Sequence, residues 1–192
     1  MGVLVIDTET TGLAPKGYKN VNDSRLWSTC RMVQIAWTLF DTDGTELSSE
    51  VYIVKPDSFK IPERSTEKHG ITDEIAKNNG IEILEIFEKL KLVLDKSDTI
   101  IAHNMAFDDS VIQSEMHRYK FVDVLKTWKT KEKKCTMMME SKNNVGAKWM
   151  KLSEIYEKYI GKVPDITLHR ADNDVKLCAD VYFAMIKSSS SA

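Results

Sequence analysis

Val3-Leu4-Val5-Ile6-Asp7-Thr8-Glu9-Thr10-Thr11-Gly12-Leu13 decides how the rest of the chain is read. Four consecutive β-prone apolar residues suit a strand buried on both faces, and the small polar residues after them end it. Asp7 and Glu9 stand two apart, so a strand of period two projects both carboxylates to the same side, at its end. Unpaired buried charges are costly and like charges raise each other's pKa, so an interior placement calls for a cation between the two acids. A hard divalent metal is the natural one.

Working outward, the same demand recurs near the other end of the chain. In a helix expected over about 171–187, Asp174 falls inside the stripe made by Ala171, Cys178, Val181 and Met185, while Asp172 turns toward Lys176 and the polar face. One metal shared with Asp7 and Glu9 satisfies Asp174. Asp108, on a helix expected over about 105–119, lines up with Met105, Val111, Ile112 and Tyr119, though Glu115 softens that face and the adjacent Asp109 stays open as an alternative. First-turn carboxylates also suit a helix dipole, and Asn104 stands where a cap belongs. His169 precedes the last helix on a segment without apolar pattern, where an imidazole can act as a general base at neutral pH. His69 and His103 lack such an acid partner and read as structural.

The segments between give the architecture. Ala14 to Cys30 is polar and aperiodic, a long loop in which Tyr18 and Trp27 either contact a ligand or pin the loop to the domain. Met32 to Phe40 is a second strand, joined through Asp41-Thr42-Asp43-Gly44 to a third from Leu47 to Val54, an antiparallel hairpin. A short helix stops at Gly70 and another starts at the cap Thr72. Ile83, Ile86, Phe87, Leu90 and Leu94 mark an amphipathic helix, and Asp98 to Ala102 a short strand before the helix of Asp108. Strand, helix and strand in that order imply a crossover, hence a partly parallel sheet. Leu152 to Ile160 reads as a further helix stopped by Gly161. The basic run from Lys126 to Lys134 reads as a solvated face, with phosphate contact and stacking on Trp128 as the functional alternative.

Bulk properties fit one α/β domain over residues 1–187 with a frayed tail at 188–192. The 192 residues are 42% hydrophobic and 29% charged with a net charge of -2, so a polyanionic partner has to be met by a local surface. Three widely spaced cysteines without CxxC pairing suggest reduced thiols, and with no apolar stretch near the ~18 residues of a transmembrane helix the expectation is an intracellular, cytoplasmic or nuclear, setting without a membrane partner.

These residues resemble a family. Asp7-Thr8-Glu9-Thr10-Thr11-Gly12-Leu13, Ala102-His103-Asn104-Met105-Ala106-Phe107-Asp108 and His169-Arg170-Ala171-Asp172-Asn173-Asp174 resemble, in order, the three motifs of the DEDDh (DnaQ-like) 3′–5′ exonucleases, among them the proofreading epsilon subunit of bacterial DNA polymerase III. Lys68-His69-Gly70-Ile71-Thr72-Asp73-Glu74 is similar to the family's segment between the first two motifs. The resemblance implies a ribonuclease H-like fold, a mixed five-stranded sheet flanked by helices. It implies Asp7, Glu9, Asp108 and Asp174 as ligands of two Mg²⁺ or Mn²⁺ ions roughly 4 Å apart, and His169 as general base. Asp7 bridges both ions in that reading, with Glu9 and Asp174 on the ion beside the nucleophile and Asp108 completing the other. Thr10, Thr11, Gly12 and Leu13 correspond to the seat of the terminal nucleotide, whose 3′ end backbone amides bind, and Asn104 and Phe107 to further substrate contacts. The implied partner is nucleic acid with a 3′ end, single-stranded DNA ahead of RNA, with a DNA polymerase or other replication protein as a second. The loop from Ala14 to Cys30 is longer than in the epsilon subunit. An exoribonuclease of the ribonuclease T or oligoribonuclease kind, and a non-catalytic binding module on the same fold, are the competing readings.

Overall fold

A computed structural model describes residues 2–18, 20–143, 149–166 and 168–190. Five strands, β1 (Gly2–Thr10), β2 (Met32–Phe40), β3 (Glu46–Ile53), β4 (Ser97–Ala102) and β5 (Glu132–Cys135), form one sheet in the order β3-β2-β1-β4-β5. β2 pairs antiparallel with both β1 and β3, whereas β4 runs parallel to β1 and β5 parallel to β4. β1 therefore lies where the two directions meet, the position in an open sheet at which a crevice forms beyond the strand ends.

The helices are α1 (Glu63–His69), α2 (Asp73–Asn79), α3 (Ile83–Leu94), α4 (Met105–Arg118), α5 (Val122–Thr130), α6 (Thr136–Asn143), α7 (Leu152–Tyr159) and α8 (Ala171–Ser190). Strand periodicity divides their attachment. Leu4 and Ile6 of β1 enter a core with α3, α4 and α5, while Val5, between them, packs with Ala36, Ile101 and α8 on the opposite face. Asp7 and Glu9 share the parity of Val5 and Thr8 that of Leu4 and Ile6, so the two acids turn to the α8 side and the threonine to the α4 side.

Local signals act as expected. Gly44 closes the β2–β3 hairpin at φ 87°, with Asp41 Oδ1 accepting from the amides of Asp43 at 3.0 Å and Thr45 at 2.8 Å. Gly70 ends α1 in the left-handed region at φ 74°, and the Thr72 hydroxyl accepts the Ile75 amide at 3.0 Å to cap α2. The apolar stripe of α3 is buried throughout.

Other elements differ from expectation. β5 and α6 carry no apolar pattern that announces them, α5 escapes the sequence reading although Val124, Leu125 and Trp128 make a buried helical stripe, and the basic run contributes the end of α5 and β5 up to Lys134. An edge strand tolerates such charge, which also discourages pairing with another chain. α8 continues past Lys187 into the expected tail, where Ser188 and Ser189 return their hydroxyls to the carbonyls of Ala184 at 3.0 Å and Met185 at 2.9 Å. Residues 191 and 192 lie outside the described residues. No helix among the described residues is long and apolar enough to cross a membrane, and Cys30, Cys135 and Cys178 are free.

Candidate active site

Asp7, Glu9, Asp108 and Asp174 meet at the carboxyl end of β1. Asp174, in the first turn of α8, faces Asp7 and Glu9 across the sheet side they share. Asp108 arrives from the opposite helix layer and is buried. Its Oδ1 accepts both the Thr8 amide at 2.9 Å and the Thr8 hydroxyl at 2.7 Å, so the residue between the two strand acids clamps the third. Asp109, which helical periodicity leaves open, points elsewhere: it accepts the Trp128 indole N–H at 2.7 Å and pairs with Lys133 at 3.6 Å.

The assembled acids hold their protons unusually tightly. Burial, then the charges of Asp108, Asp174 and Glu9, push Asp7 well above the ordinary carboxylate range. Glu9 is pushed to about 8 by burial and then by Asp174 and Asp108, with Lys68 acting in the opposite direction. Burial raises Asp108 to about 7 against the pull of the Thr8 hydrogen bonds. Asp174 is also raised by burial, and His169 partly offsets the rise. Mutual repulsion in an enclosed place is the condition a divalent cation relieves.

His169 adopts φ 61°, which turns the chain sharply into α8, and its amide donates to Asp174 Oδ2 at 3.1 Å. Its ring is thereby brought back over the acids: ligand atoms of Glu9, His169 and Asp174 lie within 4.8 Å of one another. Among the described residues that triplet has metal-ligand spacing, and Asp7 and Asp108 join it through charge coupling. This donor set of carboxylates with one imidazole fits a divalent ion.

The turn after β1 forms one wall of a cleft of about 780 Å³. Much of it is already committed. Thr11 donates its amide to Arg31 O at 2.9 Å and its hydroxyl to Thr29 O at 3.1 Å, while the Thr10 hydroxyl donates to Gly12 O at 2.8 Å. Ser65 of α1 completes the brace through a 2.7 Å bond to Thr11 O. A side chain at Gly12 would come within 2.8 Å of Thr29 O, so glycine is required by close approach. The amides of Gly12 and Leu13 have no partner among the described residues, and Leu13 is 76% exposed at the rim. Phe107 lines the same cleft, with Tyr18 edge-on to its ring at 6.3 Å. Asn104 does not join this group. It occupies the cap position of α4 with φ 60° and makes no side-chain cap bond, and it lines a second cleft of about 570 Å³ that also opens onto Asp7, His169 and Asp174.

His69 and His103 have structural partners. His69 Nδ1 accepts the Ile71 amide at 3.1 Å, and His103 Nδ1 lies 2.9 Å from the Thr136 hydroxyl, with burial lowering its pKa to about 4. Trp128 is fully buried and offers no stacking face. Around it Lys131 donates to Ser97 O at 2.7 Å, Lys133 pairs with Asp109, and Lys134 pairs with Glu132 at 3.4 Å.

Sequence reasoning missed the support behind the first cleft. Glu115, which only blurred the apolar face of α4, is completely buried and bound to Arg31 Nε at 2.7 Å and to the Met32 amide at 3.1 Å, with Arg118 Nε 3.2 Å away. Arg31 also donates to Tyr119 at 2.8 Å, whose hydroxyl bonds Asp57 at 2.5 Å, and stacks on Phe59 at 4.4 Å. Arg118 donates to Ser24 O at 3.0 Å and Trp27 O at 3.2 Å, and Trp27 is fully buried. The long loop is thus pinned from beneath. A charged residue on an apolar helix face, paired with the arginine immediately before β2, was the available signal.

A mixed β3-β2-β1-β4-β5 sheet with carboxylates gathered at the end of its central strand defines a ribonuclease H-like fold. The sequence profile of the exonuclease (RNase_T) family matches residues 4–182, and the chain belongs to that family. It is therefore a nuclease, of a family that in general works with divalent metals. Among solved structures, exonuclease X in complex with 5′-overhanging duplex DNA is 21% identical with a TM-score of 0.66, over 98% of this chain and 93% of that one. E. coli exonuclease I in complex with a dA16 oligonucleotide is 19% identical with a TM-score of 0.72, over 97% of this chain and only 41% of that one. None of the curated proteins compared matches the chain significantly.

Proposed function

We propose that this chain is a metal-dependent 3′–5′ exonuclease of the DEDDh type that releases nucleoside 5′-monophosphates from nucleic acid, DNA ahead of RNA. The observation that carries this reading is the convergence of Asp7, Glu9, Asp108, Asp174 and His169 at one strand end, from three separate parts of the chain. Two Mg²⁺ or Mn²⁺ ions held by the four acids would neutralise phosphate charge and make a bound water acidic. The protein's own residues do the rest. Thr8 holds Asp108 in place, and Asp174 Oδ2 holds the backbone that aims His169. His169, exposed to solvent, takes the proton from the attacking water at a ring nitrogen and passes it to bulk. Water oxygen bonds to phosphorus, the P–O3′ bond breaks, and the upstream 3′ oxygen is protonated. The free amides of Gly12 and Leu13 and the exposed Leu13 side chain receive the terminal nucleotide.

DNA is favoured by the Thr10-Thr11-Gly12 sequence after Glu9 and by likeness to chains crystallised with DNA. A polymerase partner rests on the resemblance alone. The presence of every acid and the histidine counts against a non-catalytic module. His169→Ala is expected to lower kcat about 10²- to 10⁴-fold while metal still raises the melting temperature. A wild-type rate in that variant on both DNA and RNA would remove His169 as the base.

A further inference from the structure

The acids lie between two clefts, and a polynucleotide has to pass from one to the other. At a scissile phosphate the chain continues in both directions, toward the nucleotide being released and toward the rest of the strand. The turn from Thr10 to Leu13 lines the first cleft, and the proposed function seats the released nucleotide there. The second cleft, about 570 Å³, opens from Asp7, Asn104 and Asp174 toward Trp149, and His169 borders both. Beyond Asp7, His169 and Asp174 at its inner end, nothing in the proposed mechanism uses it.

Trp149 distinguishes this second cleft. Trp27, Trp37 and Trp128 are fully buried, whereas Trp149 is 64% exposed at the cleft wall. Met137, Met150 and Leu168 line the same cleft, and Lys151 supplies a positive charge beside them. An exposed indole among apolar lining residues, with a cation in the same cleft and continuous with a phosphate-handling centre, is the set that takes a base by its flat face and its phosphate by charge.

Resting on the nuclease reading above, we infer that Trp149 is the stacking platform for the unpaired base of the nucleotide immediately 5′ of the scissile phosphate. Stacking is indifferent to base identity, so the platform positions any sequence. It also restricts the substrate to ends whose penultimate base is free of a complementary partner or can leave it.

Two substrates test this: an oligothymidylate, and the same strand with an abasic residue at the penultimate position. For Trp149→Ala, kcat/KM on the intact strand is expected to fall about 10-fold, and on the abasic strand to change less than about 2-fold, because the base that stacks is already missing. Trp149→Phe should retain most of the wild-type rate. Equal loss on both strands would make Trp149 a support for the acid site, and no loss on either would leave it a surface residue; both overturn the inference. A second measurement does not depend on hydrolysis. Titrating metal-free protein with the intact strand should quench its tryptophan emission, and Trp149→Phe should abolish that quench, since the other three indoles are buried. If wild type cleaves neither strand but shows this Trp149-dependent quench, the nuclease reading fails and the platform stands. A quench that persists in Trp149→Phe, or none in wild type, overturns the platform.

Discussion

The floor of the site and the walls of its clefts are held by opposite arrangements of charge. On the floor, four carboxylates from β1, α4 and α8 are pressed together, Lys68 and His169 only partly offset their charge, and each is pushed above its ordinary pKa. Beneath the wall, a buried glutamate sits between two arginines that tie the long loop and the 57–59 segment to α4. The floor is therefore unstable until something cationic arrives, and the wall is stable by itself. Mutations should separate the two: floor changes remove activity while sparing the fold, and wall changes do the reverse.

The largest effect belongs to the floor. Asp7→Ala should abolish metal-dependent hydrolysis, while the melting temperature of the metal-free protein holds or rises because one repelling charge is gone. An unchanged rate in the purified variant would point to a contaminating nuclease, and a collapsed fold would break the contrast. Next comes the wall: Glu115→Ala takes the carboxylate from the buried Arg31 and the half-buried Arg118, leaving Arg31 only Asp57 at 3.6 Å, and should cost about 3–5 kcal/mol in chemical denaturation. A cost near zero would mean that the pair contributes nothing to holding the loop.

Titration sharpens the comparison. Glu9, raised from 4.5 to about 8, keeps its proton in the native state after the unfolded chain has released its own. The native state then binds more protons, so the stability of the metal-free protein falls as pH rises between those values. A divalent ion that binds only the native state should reverse this, raising the melting temperature more at pH 8 than at pH 6. An equal rise at both pH values would mean that the metal binds elsewhere. Gly12→Ala should cost about 1–3 kcal/mol or distort the turn, through its approach to Thr29 O. The smallest effect is expected at the edge strand: Lys134→Gln, which removes only an exposed pair with Glu132, should change kcat/KM less than about 2-fold.

The same division explains what could be read from the sequence. Asp7, Glu9 and Asp174 sit on a strand and a helix whose periods of two and 3.6 make a misplaced acid visible, whereas periodicity left Asp108 open against Asp109 and only the family resemblance chose between them. β2, the hairpin and α3 were legible for the same reason, and Gly70 and Thr72 because stops and caps are local chemistry. β5 escaped because an edge strand of Glu132, Lys133, Lys134 and Cys135 has no buried face to alternate with. Trp149 escaped because exposure is a property of the folded surface, and a tryptophan in sequence reads first as core. Glu115 was visible but misread. It looked like noise against Asp108, and only the fold shows that Arg31, 84 positions away, completes it.

The most direct measurement of the central claim is a time course on a single strand labelled at its 5′ end, with Mg²⁺ and with EDTA. Labelled products that shorten stepwise from the 3′ end, with nucleoside 5′-monophosphates released, no reaction in EDTA and none with Asp7→Ala, are the predicted result. Release of the labelled 5′-terminal nucleotide at the first time points, or hydrolysis that persists in EDTA, would contradict it.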